Sequence, residues 1–162
     1  MAVAHWLLAA ATDIPAARTE WATTYTALLR CGGGFAAVRI PATIVQAAAG
    51  TADPAETDAY LTGALDGPVF VDQHSQQYYA LVPASMAQLP KWVMLLGRDA
   101  QCLGRSTFVG VPHPGQTDPR AARSYWCVPM NGPGVLCGPH AVVALVARGR
   151  DQQRALVRGT DE

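Results

Sequence analysis

Cys127, Cys137 and His140 stand in the spacing Cys-x9-Cys-x2-His, a set of thiolate and imidazole donors of the kind that holds zinc. A closed structural site takes four ligands, and the remaining donors, His113, His74, Cys31 and His5, lie at no diagnostic spacing. The preferred reading is of buried cysteines acting as small apolar residues. A second chemistry is nucleophilic: Cys137 falls at the start of an expected final helix, whose dipole favours a thiolate, with His140 or His113 as base. His140, three residues on and in the same turn, is poorly placed to meet the sulfur, so a buried helix cap is preferred here too. The third chemistry is recognition of phosphates and bases. Arg98, Arg105, Arg120 and Arg123 surround a proline-rich loop that Tyr125 and Trp126 follow, and guanidiniums beside aromatic faces hold phosphates and stack bases. Against this, loop arginines are commonly solvated or paired, here with Asp99 and Asp118, and alternation along a strand sends at least one of the two aromatics inward.

The run Cys31-Gly32-Gly33-Gly34 lets backbones approach closely and could cradle a phosphate. No Lys-Ser/Thr of a phosphate-binding loop follows it, so a plain turn is expected.

The chain that must position these residues has 162 of them, enough for one domain that buries about two-thirds of its extended surface. Twelve basic and twelve acidic residues cancel, so no overall field draws a polyanion, and any nucleic-acid contact must be local. The apolar run near the N-terminus, AVAHWLLAAA, is far shorter than the ~20 residues of a membrane span and has no basic flank. A soluble, cytoplasmic protein with reduced cysteines, no membrane partner and no cofactor is expected.

Apolar runs at 35–40, 68–72, 77–83, 92–96, 106–111 and 124–128 predict strands of a common sheet. Residues 77–83 form a hairpin with the run before them. Helices are predicted over 15–23, with Asp13 as cap, over 42–50, over 53–65, with Asp53 as cap, and from 139 to 148. Residues 5–11 read as a buried strand or helical turn. The pattern predicts a single α+β domain over 1–149, a mostly antiparallel sheet of about five to seven strands with helices mainly on one face. Residues 150–162 read as a charged, frayed or disordered tail.

The segments WLLAAATDIPAARTEW, LRCGGGFAAVRIP, QYYALVP, STFVGVPHPG and SYWCVP, in that order, resemble small actinobacterial proteins related to the N-terminal domain of the primase-polymerases (prim-pol), within the archaeo-eukaryotic primase superfamily. The likeness covers most of residues 5–147, and its most recognisable piece is FVGVPHPG followed by SYWCVP. It implies an RRM-like core which, in active members, holds two divalent cations on acidic residues and joins nucleotides. The family's acid-x-acid pair falls on 35–40, which contains no carboxylate; its nucleotide-contacting histidine falls at Gln77; its third acid falls at Gln101, with Asp99 two residues away. The resemblance therefore implies a catalytically degenerate member that does not extend a primer. Weak binding of single-stranded nucleic acid or nucleotide, through Arg98, Arg105, Arg120, Arg123, Tyr125 and Trp126, is the expected function. The alternative is a protein–protein interaction module, an adaptor or a homo-oligomer; a cysteine-dependent enzyme and an active primase-polymerase stand behind both.

Overall fold

Along β2 (Ala36–Pro41) successive side chains enter two different cores. Ala36, Val38 and Ile40 face a helical layer, and Ala37 faces a second apolar cluster on the other side. A strand buried on both faces shows no polar alternation, which is why this stretch reads as a continuous apolar run. The computed structural model, which describes residues 2–160, has the α+β architecture that the sequence predicts. Five strands form one antiparallel sheet in the order β5 (Gln101–Leu103), β2, β4 (Gln77–Val82), β3 (Val69–Asp72), β7 (Ser124–Val128).

The helical layer comprises α3 (Ala42–Ala49), α4 (Pro54–Leu65) and α6 (Pro139–Thr160), which bury Val45, Leu61, Val142, Leu145 and Val146 against Val38, Val69, Val71 and Ala80. Asp53 caps α4 as expected, its Oδ2 accepting from the Glu56 amide at 3.0 Å with Pro54 in the first turn. The opposite face carries α1 (Ala2–Leu8), α2 (Ile14–Thr24) and a separate two-stranded ribbon of β1 (Thr26–Arg30) and β6 (Phe108–Pro112). Asp13 Oδ1 accepts from the Ala16 amide at 3.1 Å and starts α2. Trp21 anchors that helix to the ribbon by donating its indole N–H to the Val111 carbonyl at 2.9 Å.

Several elements differ from the sequence reading. No strand is predicted over β1 or β5, and residues 5–8 of the segment read as a buried strand or helical turn belong to helix α1. Residues 92–96 lie in a helix, α5 (Pro90–Leu96), and not in a strand: Trp92 and Leu96 are buried four residues apart while 93–95 face outward. The run at 106–111 supplies β6, but it pairs with β1 and not with the main sheet. The last helix does not stop near 148; it continues to Thr160, so the described part of the expected tail is helical. Residues 161 and 162 of that tail lie outside the described residues.

Candidate functional site

The residues chosen from sequence do not form one face. Tyr125 and Trp126 are 3% and 2% exposed and point to opposite sides of the sheet, so neither offers a ring to a base. Tyr125 donates its hydroxyl to Asp58, and Trp126 donates its indole N–H to the Pro112 and His113 carbonyls at 2.9 and 3.1 Å. Arg123 forms a two-pronged pair with Asp72 (2.7 and 2.9 Å), and Arg120 meets Asp118 at 3.5 Å. Arg98 is exposed in the turn after α5; Asp99 beside it pairs with Arg150 instead. Arg123 precedes β7 at one edge of the five-stranded sheet, whereas Arg98 and Arg105 flank β5 at the other.

The donors considered for zinc also stay apart. Cys137 directs its thiol to the Pro68 carbonyl, Cys127 lies beside Asp58, and the His140 ring packs edge-on against Trp92 at 4.9 Å. Among the described residues no three His, Cys, Asp or Glu side chains come together. Burial pushes the Cys137 thiol up to about 12, opposite to the shift that a nucleophile at a helix start requires, and the side chain is fully enclosed. Desolvation is the larger cause, and the Asp66 carboxylate adds to it.

What does assemble is a surface at one end of the β1–β6 ribbon. The ribbon register places Arg30 directly opposite Phe108 and Leu28 opposite Gly110. Ala27, Leu29, Val109 and Val111 point inward to the core, so the alternate residues Leu28, Arg30 and Phe108 form the outer face, with Phe108 45% exposed. Directly opposite side chains on an antiparallel pair have Cβ atoms about 5 Å apart, close enough for the guanidinium stem to border the ring.

The glycine turn lies next to this pair and is built to bring Arg105 to it. Gly32 has φ +102°, and a Cβ there would sit 2.7 Å from the Arg105 Cα, so only glycine lets the two backbones meet. The Cys31 amide donates to the Thr107 carbonyl and the Gly32 amide to the Phe35 carbonyl, both at 2.8 Å, which holds the turn closed. The Gly33 and Gly34 amides make no hydrogen bond among the described residues. Arg30, Arg105 and the turn border a cavity of about 560 Å³ that also meets residues 9–12.

No family model, curated protein or solved structure matches the chain.

The charge in this cavity is unopposed. The ion pairs among the described residues are Arg120–Asp118, Arg123–Asp72 and Arg150–Asp99, so Arg30 and Arg105 meet no carboxylate. Two guanidiniums and two free amides beside an exposed ring can hold a phosphate and a planar base together. Of these residues the sequence singled out Arg105 and considered the glycines. Arg30 and Phe108, 78 positions apart, are joined only by strand register. The sequence carries no signal for this face: Leu28 is as apolar as Ala27 and Leu29, and Phe108 as Val109, so the open side of the ribbon emerges only on folding.

Proposed function

We propose that this protein is a non-catalytic, prim-pol-like domain that binds single-stranded nucleic acid or a nucleotide on the outer face of the β1–β6 ribbon, with a phosphate in the glycine-turn cavity. The observation that carries the reading is the exposed Arg30–Phe108 pair adjoining Arg105 and the unpaired Gly33 and Gly34 amides. A stacking platform next to an electropositive groove is how sequence-tolerant single-strand binders work, and stacking contributes about 1–3 kcal/mol per base. With no net charge on the whole chain, binding depends on this local cluster and is weak.

The prim-pol-like part of the proposal is supported by adjacency. Arg39 in β2 lies opposite Gln101 in β5 and Tyr79 in β4, and Pro41 lies opposite Gln77. The three segments on which the family's motifs fall are thus neighbours on one sheet, and the Arg39 guanidinium donates to the Gln101 side chain. Amide and guanidinium groups there do not provide the carboxylate oxygens that hard divalent cations require.

The test is fluorescence anisotropy with a short labelled oligothymidylate, with unlabelled mononucleotide as competitor. Phe108→Ala is expected to weaken binding by about 1–3 kcal/mol, the contribution of one stacked base. Arg105→Ala is expected to weaken it as well and to reduce its salt dependence. Full binding by both variants sinks the proposed site, and no binding by the unaltered protein sinks the proposed function.

A further inference from the structure

The β1–β6 ribbon is covered along one edge and open along the other. The Cys31 amide donates to the Thr107 carbonyl at 2.8 Å and the His113 amide to the Tyr25 carbonyl at 2.9 Å. In the register that sets Arg30 opposite Phe108, these bonds mark 31–107 and 25–113 as hydrogen-bonded pairs, and the alternation of an antiparallel ladder makes 29–109 and 27–111 hydrogen-bonded as well. The backbone groups of the residues between them, 26, 28 and 30 on β1 and 108 and 110 on β6, point away from the ribbon. On the β1 side the fold covers the edge: the Leu28 amide donates to Glu20 Oε2 at 3.3 Å, the Arg30 amide donates to the Ala10 carbonyl at 2.9 Å, and the Thr26 carbonyl accepts from the Thr24 hydroxyl at 3.0 Å. On the β6 side the amides and carbonyls of Phe108 and Gly110 meet no partner among the described residues. Gly110 is exposed and has no side chain, so what solvent reaches there is backbone.

An open edge accepts another strand, and proteins that avoid this place lysine, proline or an inward-pointing charge along it. Residues 106–111 carry neither a charge nor a proline. The usable edge is short. Pro112 has no amide hydrogen and its carbonyl accepts from the Trp126 indole, while Ser106 leaves extended backbone at φ +71°. Phe108 and Gly110 are what is left, and one antiparallel arrangement of two copies satisfies both. With a two-fold axis at Val109, Phe108 of each copy pairs with Gly110 of the other, and every outward amide and carbonyl of the two residues finds a partner. An axis at Phe108 would set Gly110 against Ser106, and an axis at Gly110 would set Phe108 against Pro112.

The side chains fit the same register. Gly110 lies opposite Leu28 within the ribbon, so each outer-face row of the joined sheet reads Leu28, Gly110, then Phe108 and Arg30 of the second copy. Phe108 of one copy lies over the bare glycine of the other and reaches its Leu28, which is 54% exposed in the single chain; an aromatic ring over an edge glycine stabilises such a pair. The rows put the two Arg30 residues on the outer strands, three strand spacings or ~14 Å apart, beyond the ~8 Å screening length at physiological salt. A chain with no net charge adds no long-range repulsion. We propose that two copies of this chain pair through β6, antiparallel and about a two-fold axis at Val109, to form one four-stranded sheet. With so short an edge the interface is small, and the dimer is weak and reversible. Both Arg30–Phe108 pairs face the same side of that sheet, and the pairing does not depend on nucleic-acid binding.

The experiment uses the full chain without nucleic acid. Sedimentation velocity over a series from low micromolar to millimolar protein should show reversible passage from one copy to two. Amide hydrogen exchange, followed residue by residue by NMR, should slow at Phe108 and Gly110 as concentration rises and stay constant at Leu28, whose amide is bonded within its own chain. Phe108→Pro removes an outward donor and no amide bonded inside the ribbon, and should abolish the dimer. Leu28→Lys, on the strand behind the paired edge, should weaken it by about tenfold or more, as expected for a residue central to an interface. Far-ultraviolet circular dichroism confirms that each variant folds, and the exchange measurement decides the matter without any variant. A single copy at every concentration, a dimer in which the Phe108 and Gly110 amides exchange as fast as in the single chain, or a dimer that both folded variants retain at full strength would each overturn the proposal.

Discussion

The Tyr125 hydroxyl donates to Asp58 Oδ2 at 2.8 Å, joining β7 to α4 beneath the helical layer, while Oδ1 of the same carboxyl is buried with no donor. Burial raises the Asp58 pKa, and the Tyr125 hydrogen bond and the neighbouring Cys127 thiol lower it without cancelling that effect. The folded protein thus holds this proton at a pH where the unfolded chain has released it. Stability from this group is complete below the ordinary carboxylate pKa and declines as pH rises through the folded-state value. Asp72 behaves in the opposite sense: burial raises its pKa, but the Arg123 pair and the hydrogen bonds from Ser75 and His74 outweigh it and leave the pKa lowered. Its contribution is present above the ordinary value and is lost as pH falls through the folded one. Urea unfolding between about pH 4 and about pH 8 should therefore show a decline on the alkaline side that Asp58→Asn removes. An Asn variant with an undiminished decline would place the titration elsewhere.

Helix α6 crosses α3 at Gly149. A Cβ added there would lie 2.3 Å from the Ile44 carbonyl oxygen and 2.8 Å from Ile44 Cγ2. Backbone cannot yield as a flexible side chain does, so the helices must separate and the shared core of Val45, Val142 and Val146 loosens. Gly149→Ala should lower stability by about 1–3 kcal/mol despite the better helix propensity of alanine, as overpacking does elsewhere. Gly159, which has nothing within reach of an added Cβ, is the control. Alanine there should be neutral or slightly stabilising in the same denaturation measurement.

The parts of the fold legible in the sequence were those with a local cause. Asp13 and Asp53 announced their helices because capping is a matter of three residues, and four strands of the main sheet, β2, β3, β4 and β7, read correctly because they are apolar on both faces, whereas the short, half-exposed edge strand β5 was not predicted. The stretch from Trp92 to Leu96 was not legible as a helix: five apolar residues in a row carry no period, and the distinction between buried Trp92 and Leu96 and exposed 93–95 arises only on packing. The second sheet was missed for a related reason. Ala27, Leu28 and Leu29 are consecutive apolar residues with no alternation, so nothing in sequence marked β1 as a partner for β6 outside the main sheet. Site residues followed the same division. Arg105 and the glycines were visible as types, whereas the Arg30–Phe108 pairing is a product of register. Tyr125 and Trp126 looked available because the sequence does not reveal that both faces of β7 are covered.

The cysteines make a further test of burial over dipole. Burial raises Cys31 to about 11 and Cys137 to about 12, and both are enclosed. Neither should react with a disulfide reagent at about pH 8 faster than the protein opens, because the thiolate is both scarce and inaccessible. Unfolding in guanidinium should expose them together. Rapid native labelling of Cys137, located by mass spectrometry, would reinstate a nucleophilic role for it.

The ribbon site makes a quantitative prediction about salt. For a single strand, each phosphate that the protein no longer neutralises lowers the slope of log affinity against log salt by ~0.7. If Arg30 and Arg105 each hold one phosphate, their double alanine variant should reduce the slope for oligothymidylate by about 1.4, twice that amount. Arg120 and Arg123 are already occupied by Asp118 and Asp72, so the corresponding double variant should leave the slope unchanged. Any stability it forfeits should be small and come chiefly from the better-formed Arg123 pair, because solvent screens both of these surface pairs. The two variants remove equal formal charge from a neutral chain. A general electrostatic attraction would therefore weaken both alike, and a slope that falls equally in the two would eliminate the ribbon as the phosphate site.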